Sequence, residues 1–153
     1  MFEGIKLFFF KIYISSHGLG FHHFKTIHAL NTNFLQLYMP DIGQKLKEND
    51  KIAQGFFFGT LAHFYKLSGI QANLDNKKLK PEHLADMIQG AFYKYWNVTN
   101  KEAYDIYVKA IETYELYRNK KLSETDSEKF KNGLKLLSNY SGEVEIIVKK
   151  FCK

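Results

Sequence analysis

The chain has 153 residues, of which 45% are hydrophobic, 16% aromatic and 25% charged, with only two prolines and ten glycines. This length allows one domain with a sizeable core, and this composition is that of a folded protein, which excludes a disordered chain. So few helix breakers leave long uninterrupted segments, which favours helices over a turn-rich sandwich. The 14 phenylalanines and 10 tyrosines predict a core built largely from rings.

The net charge is +6, but of the 22 basic residues only Arg118 is an arginine. Because arginine is preferred where phosphates or bases are bound through paired hydrogen bonds, the charge adds little support for nucleic-acid binding. Cys152 is the single cysteine, so no disulfide forms within the chain, which fits a reducing compartment. We therefore expect a cytoplasmic protein.

The N-terminal segment contains the run Phe8–Phe10 between Lys6 and Lys11. No apolar core with a small-residue cleavage site follows, so we expect no signal peptide. No stretch of the chain reaches about 18 apolar residues, so we predict no membrane span. Residues 5–14 fit both a strand and a helical stripe, and because no partner strand is evident we favour a helix packed on the core.

Helical spacing of apolar residues continues along the rest of the chain. A helix is predicted over 21–38, ended by Pro40, followed by a short helical turn over 41–47. The central element is predicted over 50–68, with Asp50 as its cap and Gly69 as its stop. Its apolar residues cover more than half of the helical circumference, so other helices should surround it.

Capping signals mark the later helices. Pro81 precedes a helix predicted over 82–96, and the capping box from Thr99 to Glu102 opens one over 101–118. A second box, from Thr125 to Glu128, predicts a helix over 126–140 that Ser141 and Gly142 stop, before a last amphipathic turn or two. The sequence thus predicts an all-α, single-domain bundle of about five to seven helices over residues 1–153. The expected core includes Phe56, Phe57, Phe64, Ile88, Phe92, Ile106, Ile111 and Leu134.

Histidines raise the question of a metal or haem. His17, His22, His23 and His28 are separated by five, one and five residues, which does not match the three- or four-residue spacing of a chelating helix. They are interpreted as helix-end and surface residues. His63 and His83 lack the flanking pattern of haem ligands and are interpreted as residues at the edge of the core. We predict no metal and no cofactor.

The sequence contains no catalytic signature. No serine or cysteine lies in a nucleophile elbow, no glycine-rich loop has a phosphate-binding form, and the carboxylates fall on predicted wet faces. This favours a non-enzymatic protein. Gly55 and Gly59 have the spacing that lets two helices approach closely, which we interpret as the crossing of a neighbouring helix, with a homodimer interface as the alternative.

Residues 16–30, SHGLGFHHFKTIHAL, resemble the junction between the DNA-reading helix and the next helix in tetracycline-repressor-type regulators. Gly18, Phe21, His23 and Lys25 fit that pattern, and the resemblance implies that Phe21 and His23 face the DNA backbone. It covers about a tenth of the chain. Ile27 stands where the family usually has lysine, and the phenylalanine-rich N-terminal segment is too short for the preceding helices of a DNA-binding unit.

Two functional hypotheses follow. The first is an interaction protein that binds another protein or a copy of itself, with Phe8, Phe9, Phe10 and Phe151 as the expected contact regions, because the chain has more aromatic residues than a bundle of this size needs to bury. The second is a ligand-sensing or nucleic-acid-associated regulator. Its ligand pocket would lie between the central helix and residues 84–118, lined by His63, Tyr107 and Tyr114.

Overall fold

The computed structural model describes residues 21–70, Phe92 and 95–151, with the backbone alone for 21–24 and Asn100. These parts of the chain form a single helical body with no strand, which confirms the all-α prediction. Six α-helices lie in these described parts: α1 (Phe21–Tyr38), α2 (Ile42–Lys47), α3 (Lys51–Leu67), α4 (Asn100–Arg118), α5 (Glu124–Leu136) and α6 (Ser141–Phe151). A 3₁₀ turn, Leu137–Asn139, joins α5 to α6, and Phe92, Tyr95 and Trp96 are also helical. Most of the helix predicted over 82–96, with Ile88, lies outside these residues.

Helix α3 occupies the centre of the body, as predicted, and contacts α1, α2, α4, α5 and α6. Phe56, Phe57 and Phe64 are all buried in the core. The Asp50 side chain accepts a hydrogen bond of 2.8 Å from the Ala53 backbone N–H, and Gly69 follows the helix with a φ of +77°. The start and stop signals read from the sequence therefore act as predicted.

The closest helix crossing joins α3 to α5. A β-carbon on Gly55 would lie 2.1 Å from the Phe130 carbonyl oxygen, and one on Gly133 would lie 2.1 Å from the Ile52 carbonyl oxygen. At Gly59 the nearest atom, the Leu134 carbonyl oxygen, would be 3.4 Å away, which is ordinary contact. The spacing of Gly55 and Gly59 thus serves a helix crossing within the chain, as interpreted from the sequence.

Two local predictions for α5 were wrong. The helix begins at Glu124 and its cap is Ser123, whose hydroxyl accepts a hydrogen bond of 3.2 Å from the Asp126 backbone N–H. Ser123 has the extended backbone of a capping residue, whereas Thr125 already lies inside the first turn. The helix also ends at Leu136, and Ser141 and Gly142 begin α6 because Val144 and Val148 of that helix are buried in the core.

The predicted core is partly confirmed. Phe92 and Ile106 are buried with the three phenylalanines of α3, whereas Ile111 and Leu134 are only half-buried. The capping box of α4 is present: the Thr99 hydroxyl accepts a hydrogen bond from the Glu102 N–H, and Glu102 accepts one from the Thr99 N–H. Across the described helices, none is both long and apolar enough to cross a membrane.

Candidate ligand-binding groove

A groove of about 600 Å³ lies between α3 and α4, with Leu134 of α5 at its side. Helix α3 lines it with Phe58, Gly59, Leu61, Ala62 and Tyr65, and α4 with Tyr107, Ile111, Tyr114, Glu115, Tyr117 and Arg118. Pockets that enclose small molecules have volumes of about 300–1,000 Å³ and mostly apolar, aromatic linings. The groove has both properties.

Helical periodicity explains how α3 contributes to this wall. Phe58, Leu61, Ala62 and Tyr65 lie at positions i, i+3, i+4 and i+7, so they share one face of the helix. Leu61 and Tyr65 are buried at the bottom of the groove, whereas Ala62 is exposed at its rim. Gly59 also lines the groove, next to Leu134, and because it has no side chain it leaves space open on that side.

The facing stripe of α4 follows the same rule. Tyr107, Ile111, Tyr114 and Arg118 recur every three or four residues along the helix. The ring of Tyr114 is stacked on that of Phe58, with centroids 4.7 Å apart and planes 9° from parallel. This stacked pair joins the two helices through a flat, half-buried aromatic wall.

The floor of the groove carries two buried phenol groups, those of Tyr65 and Tyr107, which are 6% and 2% exposed. The Tyr65 hydroxyl shares a hydrogen bond with Nε2 of His28 on α1. Burial raises the pKa of Tyr65 well above its usual value, and the nearby Tyr107 raises it further. Desolvation lowers the pKa of His28 from 6.5 to about 3, so the imidazole is neutral at pH 7.

Tyr107 differs from Tyr65 in its hydrogen bonding. Its ring packs edge-on against Phe57, with centroids 6.0 Å apart, and burial raises the pKa of its hydroxyl. None of the residues that the structure describes forms a hydrogen bond with this hydroxyl. The groove therefore combines an apolar lining with one uncommitted polar group at its floor.

Charge lies only at the rim of the described lining. Glu115 and Arg118, one turn apart at the end of α4, are both exposed. No ion pair of Arg118 is present among the described residues. A molecule in the groove would thus meet charged groups near solvent and apolar surface inside.

The structure brings together two of the predicted site residues and separates the third. Tyr107 and Tyr114 line the groove, which lies between the central helix and α4. His63 is half-buried, at the edge of the core, and is not part of the lining. Its Nε2 atom is enclosed without a hydrogen-bond partner in the described parts of the chain. The predicted contact region Phe8–Phe10 lies outside the described residues.

His28 corrects the interpretation of the N-terminal histidines as surface or helix-end residues. It is 1% exposed, on the inward face of α1 with Ile27 and Asn31. Burial is tolerated because the ring is neutral and bonded to Tyr65. The sequence does contain a signal: His28 precedes Leu35 by seven positions, or two helical turns, so the helix predicted over 21–38 places both on one face. No group of three candidate metal ligands occurs in the described ranges.

The other predicted contact residues lie away from the groove. Phe151, at the end of α6, is 54% exposed, and Lys150 lies over its ring. Lys25 is exposed near the start of α1, in the segment that resembles tetracycline-repressor-type regulators. The side chains of Phe21 and His23 are outside the described part, so binding to nucleic acid stays a prediction.

Comparison of this chain with protein-family models, with curated proteins and with solved structures found no match.

Proposed function

We propose that this protein binds a small, largely apolar molecule in the groove between α3 and α4. The observation that carries the proposal is the coincidence of a groove of about 600 Å³, an aromatic wall formed by Phe58 and Tyr114, and buried tyrosines at the floor. An apolar cavity with a few convergent polar groups of perturbed pKa is the usual form of a ligand site. This corresponds to the ligand-sensing hypothesis rather than to the interaction hypothesis.

The packing around the groove supports a preformed site. The floor residues Leu61, Tyr65 and Tyr107 are buried, so their positions are fixed by the core on their other side. Phe58 contacts Phe57 and Phe130 as well as Tyr114, which holds its ring in place from three directions. A ligand would then lose little affinity to ordering of the site.

Titration with Nile red, an uncharged dye whose emission shifts to the blue in apolar surroundings, tests this proposal. We expect saturable binding of one dye per chain. Ile111→Trp adds a ring that occupies space inside the groove, so it should weaken dye binding by about tenfold or more. A tenfold loss of affinity corresponds to about 1.4 kcal/mol.

The matched control is Ile147→Trp, since Ile147 of α6 is also a half-buried isoleucine packed on the core but does not line the groove. It should keep the wild-type dye affinity. Circular dichroism establishes that both variants fold, and Ala62→Phe at the exposed rim offers a second way to narrow the groove. Equal dye affinity in wild type and in the folded groove variants would refute the proposal.

A second candidate is association with another protein or with a second copy of the chain, through the end of α6. The supporting observation is that Ile146 and Phe151 are 67% and 54% exposed, although single exposed apolar residues are common on protein surfaces. Light scattering over a range of concentrations tests it. We expect a mass above that of one chain, reduced to that of one chain by combined Ile146→Lys and Phe151→Lys substitutions.

A further inference from the structure

The floor of the groove restricts the chemistry of the ligand, and this argument rests on the proposed function of that groove. Tyr107 is 2% exposed and lines the cavity, yet its hydroxyl forms no hydrogen bond with the described residues. Unlike Nε2 of His63, this hydroxyl is not fully enclosed, so water can reach it in the empty groove, and a ligand that displaces this water has to supply the acceptor in its place. The ligand therefore gains most if its innermost atom accepts a hydrogen bond.

Tyr65 cannot serve in the same way. Its hydroxyl is already engaged with His28, so a hydrogen bond to a ligand would compete with an existing one. Within the described lining, Tyr107 is thus the floor residue whose hydroxyl is available to donate a hydrogen bond to the polar end of a ligand.

The rest of the described lining disfavours a ligand whose buried end is charged. Apart from Glu115 and Arg118, no residue of the described lining carries a charge. A carboxylate or an ammonium group would lose its hydration there without gaining a partner of opposite charge. Glu115 and Arg118 are exposed at the rim and leave the floor uncharged.

We infer that the ligand is an uncharged, mainly apolar molecule whose buried end carries a carbonyl or ether oxygen, and that Tyr107 donates a hydrogen bond to this oxygen. The apolar body lies along the stacked rings of Phe58 and Tyr114. Tyr107 is a residue that determines specificity, because an isosteric hydrocarbon would leave its hydroxyl without an acceptor.

Three compounds of nearly equal size test this inference: methyl naphthyl ketone, isopropenylnaphthalene, which has a methylene group in place of the carbonyl oxygen, and naphthoate. Their affinities are measured by displacement of Nile red. In the wild-type protein the ketone should bind about twofold to tenfold more tightly than the hydrocarbon, the range expected for one neutral hydrogen bond. Naphthoate should bind most weakly of the three.

The Tyr107→Phe variant removes the hydroxyl and keeps the buried ring. It should abolish the preference for the ketone while binding the hydrocarbon as tightly as wild type or more tightly. Tyr114→Phe is the matched control, since Tyr114 also lines the groove but stacks through its ring, and this variant should retain the preference.

Equal binding of ketone and hydrocarbon to the wild-type protein would overturn the inference even if Tyr107→Phe failed to fold. A preference that persists in folded Tyr107→Phe, or tightest binding of naphthoate, would overturn it as well. In each of these cases Nile red still binds and the proposed function stands. Failure of Nile red and of all three compounds to bind would instead refute the proposed function, and the inference with it.

Discussion

Gly55 of α3 and Gly133 of α5 lie at the same helix crossing, and neither position has room for a β-carbon. Each such carbon would approach a carbonyl oxygen of the facing helix to 2.1 Å, that of Phe130 for Gly55 and that of Ile52 for Gly133. The obstacles are backbone atoms, which cannot rotate away as a side chain can. The close approach of α3 and α5 therefore depends on glycine on both helices.

Gly55→Ala should lower the free energy of unfolding by about 2 kcal/mol or more. Overpacking costs about 1–3 kcal/mol and occasionally more, and the backbone oxygen only 2.1 Å away puts Gly55 at or above the upper end, so a loss of about 2 kcal/mol or more is left after the roughly 1 kcal/mol recovered by the higher helix propensity of alanine. Urea unfolding followed by circular dichroism measures this loss.

Gly59→Ala, one turn along the same helix, is the matched control. Its β-carbon would lie 3.4 Å from the Leu134 carbonyl oxygen, so the added methyl group fits. We expect no loss of stability and a gain of up to about 1 kcal/mol from helix propensity. If the two alanine variants were equally stable, the crossing described here would be incorrect.

The same crossing shows what the sequence can and cannot predict. The spacing of Gly55 and Gly59 predicts that some helix approaches α3 there, but not that Gly133 is its counterpart, because the partner is about 80 residues away in the chain. Local signals such as the Asp50 cap and the Thr99 capping box were read correctly, since each depends on residues within one turn.

The site was predictable to a similar extent. Tyr107 and Tyr114 were expected on the face of α4 that meets the central helix, because helical spacing identifies a shared face. His63 was expected beside them, but it follows Ala62 by about 100° around the helix and so does not line this groove. Ile111 and Leu134 were expected in the core because periodicity places them on an inward face, but both are half-buried. Periodicity does not tell whether another side chain fills the space in front of such a face.

Helix caps provide a test of where α5 begins. Ser123→Ala should cost about 1 kcal/mol, since its hydroxyl accepts the hydrogen bond from Asp126, and Thr99→Ala should cost about the same at the start of α4. Thr125→Ala, at the position that the sequence favoured as the cap, should have little effect. Thermal unfolding of the three variants checks this order. A larger loss for Thr125→Ala than for Ser123→Ala would place the helix start two residues later.

Substitutions of one buried and one exposed phenylalanine test which residues form the core. Phe64 is fully buried and packs against Phe34 with ring centroids 6.1 Å apart, so Phe64→Ala should cost about 3–5 kcal/mol through the cavity that it leaves. Phe151→Ala should change stability by less than about 0.5 kcal/mol, because that ring is largely exposed and makes few core contacts. Chemical denaturation of both variants tests the central position of α3. A loss at Phe64 no larger than that at Phe151 would contradict it.

His28 should make the stability of the protein depend on pH in a defined window. Burial lowers the pKa of the folded state from 6.5 to about 3, so between these values the unfolded chain binds a proton that the folded chain does not. The free energy of unfolding therefore falls as the pH falls below about 6.5, with a slope that approaches about 1.4 kcal/mol per pH unit. Above that pH His28 is neutral in both states and contributes no slope.

The variant His28→Gln isolates this contribution, because glutamine does not titrate and can still share a hydrogen bond with the Tyr65 hydroxyl. Groups other than His28 titrate in both proteins and cancel in the difference between them. The stability of wild type relative to the variant should therefore decrease by about 2–3 kcal/mol between pH 7.5 and 4.5, measured by urea unfolding at each pH. The difference at pH 7.5 reports only the exchange of one hydrogen bond and its packing for another. A difference that stays constant over this range would mean that His28 takes up its proton in the folded state, and hence that its ring is not buried against Tyr65 of α3.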